Sequence, residues 1–466
     1  MTPATPDKPD PQRLRALIAS LEAGLLERGA AVRLVLLAAL AGEHVLLIGP
    51  PGTAKSELAR RLHRAFDGAR YFERLLTRFS TPEELFGPLS LKALEDDRYE
   101  RLTDGYLPTA SIGFLDEVFK ANSAILNALL TLLNEREFDN GAGRTRTPLI
   151  SVIGASNEVP LEEALMAFYD RFLLRVPVGP VSDASFSQLL ALGTPQAPSA
   201  PRLTRAELGA WVAQRDTVAL PASVTGHLHA LREHLKGAQM AVSDRRWRQL
   251  VGLLRTAAFT QGRERIDPLD LWLMPYALAP QPAQVAGLRQ WFVEHVAQAA
   301  PQDAPWLTRA VEAFEKQLEI EARAQAENDE GGADTAGKLA LARSIGGAQD
   351  NSMARLMSEQ LEAHLRRRYS RVHIEARVTQ VDAIAAGAAE HWRAVGAQAE
   401  QLRAALQDQL WLPPELAEEL TDGTSLTLAR LDALLERLRA VRSGFAELPV
   451  NVQAEGVAPE PIAVAA

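Results

Sequence analysis

The sequence predicts an α/β domain built on a parallel sheet, followed by an α-helical domain and a mostly helical C-terminal region. Three observations predict it. Short apolar runs alternate with helix-spaced segments across residues 12–191. A glycine-rich turn joins the first apolar run to a helix, the signature of a buried parallel strand entering a phosphate-binding turn. From residue 203 onward nearly every stretch carries helical spacing.

The first eleven residues hold Pro3, Pro6, Pro9 and Pro11 and read as a disordered tail. Gln12 to Arg28 has apolar residues at 14, 17, 18, 21, 25 and 26, which predicts a helix. A second helix over Ala31 to Leu40 leads into the run HVLLIG, the first strand, and Ser56 to Phe66 begins the next helix. Further strands are expected at Tyr71 to Leu76, Ile112 to Leu115, Leu149 to Gly154 and Phe172 to Val176. Leu85 to Ala110 reads as an inserted hairpin, because a plain βαβ unit of about thirty residues would not fill the gap it occupies. Arg136 to Thr147 reads as a second hairpin.

A Pro/Gly/Ser-rich linker over 192–202 separates this domain from a helical domain at 203–306. A helical region at 307–445 follows. It is interrupted by AENDEGGADTAGK, which suggests a small inserted module at about 326–380, and it includes a β-like run from Arg371 to Val378. Residues 446–466 read as a disordered tail.

The chain has 466 residues, 50 Lys plus Arg against 59 Asp plus Glu, and a formal net charge of −9. That acidity argues against nucleic acid as a bulk electrostatic partner. Zero cysteines exclude disulfides, thiolate metal sites and Cys nucleophiles. No apolar run approaches the ~20 residues of a membrane helix, and the start lacks the pattern of a signal peptide, so a cytoplasmic protein is expected. His227, His229 and His234 suggest a metal site only superficially, since their offsets do not share one helical face.

Residues 49–56 read Gly49-Pro50-Pro51-Gly52-Thr53-Ala54-Lys55-Ser56. The spacing is that of a loop whose backbone N–H groups and helix N-terminus cradle phosphates. Lys55 would reach the β- and γ-phosphates, and the Ser56 hydroxyl would ligate Mg²⁺. Ala54 stands where the pattern has glycine, which is tolerable if position 54 already lies in the helix's first turn. The strand Ile112–Leu115 ends in Asp116 and Glu117, placed to hold the metal and to act as general base on water. A second polar-tipped strand ends at Asn157, and Tyr169-Asp170-Arg171-Phe172 sets an arginine beside the last strand. The alternatives at these points are a helix start, a strand-end turn and a surface ion pair of Arg171 with Asp170.

The ordered set GPPGTAKS, FLDE, GASN, YDRF and Ser243-Asp244-Arg245-Arg246-Trp247, over roughly residues 12–300, resembles AAA+ ATPases. Within them it is most similar to the MoxR family and its RavA group. The resemblance implies a P-loop AAA+ core, an α-helical lid, ATP and Mg²⁺ as cofactors, and a homo-hexameric ring. It makes Asn157 the first sensor, Arg171 a finger donated to a neighbouring subunit, and Arg245 the second sensor reaching the γ-phosphate from the lid. Arg246 points about 100° away on a helix, so only one of the two can serve, and motif alignment favours Arg245. Leu85 to Ala110 would correspond to the pore-facing insert of this clade. The implied function is chaperone-like remodelling or maturation of a protein partner, one with a von Willebrand factor A domain. The competing expectation is a nucleic-acid-stimulated AAA+ motor.

Overall fold

The computed structural model describes residues 8–141, 143–193, 201–324, 367–452 and 456–463. Among these, contacts divide the chain into two compact units. The first comprises residues up to 298 together with 404–420, and the second 299–403 together with 421 onward.

The first unit is organised by a five-stranded parallel sheet in the order β2-β3-β6-β1-β7. Its strands are β1 (Val45–Ile48), β2 (Tyr71–Leu75), β3 (Ile112–Asp116), β6 (Ser151–Ser156) and β7 (Leu174–Pro177). The three central strands are buried along nearly their whole length, as expected of parallel strands covered on both faces. Edge strand β2 is half-exposed and carries Glu73 and Arg74, charges that blunt an open edge. Val45 pairs with Ile153 on one side and Leu174 on the other, so β1 lies between β6 and β7. One core cluster gathers Leu46, Leu115, Val152 and Phe172 with Leu129 of helix Ser123–Glu135. His44, fully enclosed just before β1, spans Val152 N–H (2.9 Å to Nδ1) and the Leu133 carbonyl (3.1 Å from Nε2).

The expected hairpin at 136–147 forms as β4 (Glu137–Asn140) and β5 (Gly143–Arg146), antiparallel. Residues 85–110 differ from expectation. In place of a hairpin ladder there is one antiparallel bridge, Leu89 to Arg101, enclosing the short helix Leu91–Glu95. Ser90 caps that helix through Ala93 N–H, so the local cap outcompetes strand pairing.

Helices Arg205–Arg215, Ala222–Gly237, Asp244–Thr260 and Val285–His295 complete the helical part of the first unit. Helix Gly29–Ala41, buried almost throughout, packs on helix Asp244–Thr260.

In the second unit, Leu307, Val311 and Phe314 of helix Pro305–Arg323 pack with Val381, Ala388, Leu438 and Phe445. Residues 371–378, expected as a strand, are instead the first turns of helix Arg371–Gln407. Ile374, Val378 and Val381 recur at helical spacing and all face this core, so tertiary packing overrides the β-branched local preference. Helix Pro414–Ala446 ends where the tail was expected to begin. That tail is held in part: Tyr369 bridges Val450, the Glu460 carbonyl accepts from Arg377 at 2.8 Å, and Ile462 joins the core. At the N-terminus, Asp10 caps helix Pro11–Glu22 through Gln12 N–H at 2.9 Å. Residues 1–7, most of the linker (194–200) and most of the expected insert (326–366) lie outside the described residues.

Candidate functional site

The loop Gly49–Ser56 leaves β1 at the C-terminal end of the sheet, where open parallel sheets bind ligands. Gly49 donates its N–H to the Ser156 carbonyl at 3.0 Å. A Cβ there would stand 2.0 Å from the Val178 carbonyl oxygen, so only glycine fits between β6 and the exit of β7. Gly52 takes φ +80° in open space, and Thr53 Oγ1 ties back to the Pro50 carbonyl at 2.9 Å. Ala54 does not lie in the helix's first turn, the condition under which alanine would be tolerated there. It is left-handed, φ 66° and ψ 24°, and the helix begins at Lys55. The loop needs its reversal at position 54, so the alanine carries the strain that glycine avoids.

Lys55 is buried, its Nζ donating to the carbonyls of Gly49 (2.6 Å) and Pro50 (2.8 Å). Burial lowers its pKa below the ordinary lysine value, opposed by the charges of Asp116 and Glu117. Ser56, half-buried, follows in the helix's first turn.

Asp116 closes β3, its Oδ1 accepting the Glu117 N–H at 3.0 Å. Glu117 is left-handed (φ 50°), which turns its side chain out of the strand line. Its Oε1 accepts from Asn157 Nδ2 at 2.6 Å, and its Oε2 meets Lys120 Nζ at 3.3 Å. Asn157 Oδ1 lies 3.5 Å from Lys55 Nζ. Lysine, carboxylates and amide thus form one cluster.

The two expected arginines are not in it. Arg171 precedes β7, whose Leu174 is in register with Val45 at the start of β1, so it lies at the opposite end of the sheet from Lys55. Arg171 forms no ion pair among the described residues, and its Nε is buried without a hydrogen-bond partner. Asp170 is taken instead by Arg175 (3.3 Å) and Arg246 (3.0 Å). Arg245 also lies at the far end: exposed, it donates to Asn134 at 3.2 Å beside Glu43, which precedes β1. The expectation that it reaches the γ-phosphate of its own chain is therefore not met. Helix Asp244–Thr260 packs on helix Gly29–Ala41 and presents that residue away from the loop. Arg246 is consumed structurally, donating to the carbonyls of Leu173 (2.8 Å), Ala277 (2.5 Å) and Phe172 (3.0 Å).

Two residues escaped the sequence reading. Arg28 is buried and bridges the carbonyls of Thr53 (3.3 Å) and Gly179 (2.6 Å), bracing the loop from outside. Nothing in its local spacing announces that bracing role. Lys120 was legible only as a cation three residues past Glu117.

A cavity of about 820 Å³, lined by Gly49, Asn157, Val159, Met166, Val178 and Pro282, opens beside the loop. A second of about 400 Å³ touches Arg28, Val178, Tyr276 and Val285. Both fall in the size range of small-molecule sites. The donor set suits a Mg²⁺–nucleotide: a strained glycine-lined turn, a buried ammonium, a hydroxyl at Ser56 and a carboxylate at Asp116. Among the described residues no three His, Asp or Glu side chains converge on a metal position.

Comparison with known proteins agrees with this geometry. Residues 12–210 match the profile of the MoxR domain in the MoxR-vWA-beta-propeller ternary systems, and residues 223–292 match an AAA lid domain. Uncharacterized protein MJ0079 of Methanocaldococcus jannaschii is 42% identical over 264 residues, 56% of this chain and 69% of the relative. MJ0812 of the same organism is 42% identical over 267 residues, 56% of this chain and 70% of the relative. Protein MoxR of Paracoccus denitrificans is 28% identical over 293 residues, 56% of this chain and 85% of the relative. No described helix is long and apolar enough to cross a membrane. With a phosphate loop, acidic strand end and helical lid in one unit, the chain belongs to the MoxR family of AAA+ ATPases.

Proposed function

We propose that this chain hydrolyses ATP with Mg²⁺ at sites shared between neighbouring subunits of a homo-hexameric ring, and uses the cycle to remodel a protein partner. One observation carries the reading: the lysine, carboxylates and amide stand at one end of the sheet, while Arg171 and Arg245 stand at the other. A head-to-tail ring joins those two ends, so each site draws its missing cations from the next copy.

Lys55 and the loop backbone would hold the phosphates, Ser56 and Asp116 the Mg²⁺, and Glu117 would take a proton from water oriented with Asn157. Bound Mg²⁺ would neutralise charge on the phosphate oxygens. Arg171 of one copy, and Arg245 as second sensor, would stabilise charge developing in its neighbour's site. The profile's own context, MoxR with vWA proteins, supports a von Willebrand factor A domain protein as the partner. The RavA group is the branch whose motifs this sequence follows, and a cytoplasmic location fits it.

The test is ATP turnover by the purified protein beside Glu117→Gln, which keeps shape and loses basicity. The variant should bind Mg²⁺–ATP and turn over ~10²–10⁴-fold more slowly. Its ATP-locked form should retain a vWA-domain partner in a pull-down. Parental turnover in Glu117→Gln would sink the assignment. A rate raised by DNA or RNA with steep salt dependence would favour the motor.

A further inference from the structure

Glu117 is held from both sides. Asn157 Nδ2 engages Oε1 at 2.6 Å and Lys120 Nζ engages Oε2 at 3.3 Å. The lysine arrives by local folding alone. Glu117 adopts its left-handed turn, Lys120 N–H closes on the Glu117 carbonyl at 2.9 Å, and the single 3₁₀ turn Val118–Lys120 lays the ammonium back over the carboxylate. The two partners differ in exposure: the Lys120 side chain is 58% exposed, that of Glu117 only 17%. An exposed ion pair at this spacing adds little to stability. It does keep a donor on the carboxylate oxygen that Asn157 leaves free for water.

The turn is also braced from the next residues. Asn122 caps helix Ser123–Glu135 through Ile125 N–H at 3.1 Å, and its Nδ2 donates to the Ser80 carbonyl at 2.8 Å. Ser80 in turn fixes the loop that displays Phe79, an almost fully exposed aromatic. Lys120 therefore starts from a braced turn and reaches Glu117 through a largely exposed side chain.

We propose that Lys120 is a positioning residue that latches Glu117 in a resting geometry, so that turnover requires the ammonium to leave Oε2. The proposal rests on Glu117 as general base. Its consequence is a basal rate set below what the site can deliver, and a site that quickens when an acidic group draws Lys120 away.

The experiment measures steady-state ATP hydrolysis and binding of a fluorescent ADP analogue for the full chain, Lys120→Met, Lys120→Arg, Glu117→Gln and the double variant Lys120→Met/Glu117→Gln. Lys120→Met should raise kcat about three- to tenfold with KM and ADP-analogue affinity unchanged. Lys120→Arg, which keeps the cation, should stay near the parental rate. The double variant should be as slow as Glu117→Gln, because the lysine acts only through that carboxylate. A Lys120→Met rate equal to or below the parental one overturns the latch, as does a double variant faster than Glu117→Gln. Parental turnover in Glu117→Gln alone would instead fault the base assignment, and the latch with it.

Discussion

Asp170 receives Arg246 across the joint between the sheet and the helical lid, Nε to Oδ1 at 3.1 Å, and Arg175 reaches the same carboxylate oxygen at 3.3 Å. One half-exposed carboxylate thus offsets two guanidiniums that are both almost fully buried. Arg175 also lies 3.9 Å over the Tyr169 ring, and burial, with Arg246 nearby, lowers its pKa to about 10. Arg175 is therefore walled into the joint and cannot substitute for Arg171 at a subunit interface.

Arg246→Ala should loosen this joint. The change strands the carbonyls of Leu173, Phe172 and Ala277 and takes from Asp170 one of its two guanidinium partners. Breaking such a buried network costs about 3 kcal/mol. Differential scanning calorimetry should show a clear fall in the melting temperature of the first unit. Arg245→Ala, at the neighbouring exposed position, should stay within about 0.5 kcal/mol of the parent. Equal destabilisation by both would refute the division of labour between them.

Ala54→Gly should stabilise the protein. A left-handed alanine costs roughly 1–2 kcal/mol, and the extra unfolded-state entropy of glycine takes back about 0.5–1 kcal/mol. A net gain of about 0.5–1 kcal/mol should appear as a higher denaturant midpoint. A midpoint that falls would mean the loop relaxes around alanine without strain.

His44 predicts a pH dependence of stability. Full burial holds its pKa well below the ordinary histidine value of 6.5. The unfolded chain then binds the extra proton first, so stability is lost as pH falls below about 6.5, by up to ~1.4 kcal/mol per unit. His44→Asn, whose amide oxygen can accept from Val152 N–H, should flatten that slope in denaturation curves between pH 7.5 and pH 5. An unchanged slope would assign the acid sensitivity to carboxylates instead.

Arg171→Ala should bind ATP and assemble yet hydrolyse ~10³–10⁵-fold more slowly, the range seen for arginine fingers. Mixed with Lys55→Ala under subunit exchange, it should regain part of the activity, since some interfaces then pair an intact loop with an intact finger. Normal hydrolysis by Arg171→Ala alone would remove it from the chemistry.

Much of this was legible in the sequence because it is local. The strand–loop–helix around Lys55, the acidic end of β3 and the hairpin at 136–147 each follow from spacing within a dozen residues. What escaped depends on distant packing. Nothing near Arg245 says which way helix Asp244–Thr260 will face until it meets helix Gly29–Ala41. Residues 371–378 look like a strand in isolation and become a helix because their apolar positions have a core to face. Ala54 misled for the opposite reason: its side chain suits a helix, but the loop's path dictates its backbone.

Strand β6 runs from Ser151 to Ser156, about 20 Å at ~3.3 Å per residue. Its start is pinned by Ser151 Oγ on the Glu43 carbonyl at 2.7 Å and by His44 on Val152 N–H, at the end of the sheet where Arg171 and Arg245 lie. Its far tip leads into Asn157, which donates to the Glu117 carboxylate. A fully buried strand paired on both sides keeps its register and moves as one body with its sheet. In the proposed ring it would act as a push-rod, setting adjacent sites mechanically in series, and the order of firing around the ring would then depend on the stiffness of the sheet rather than on any hinge.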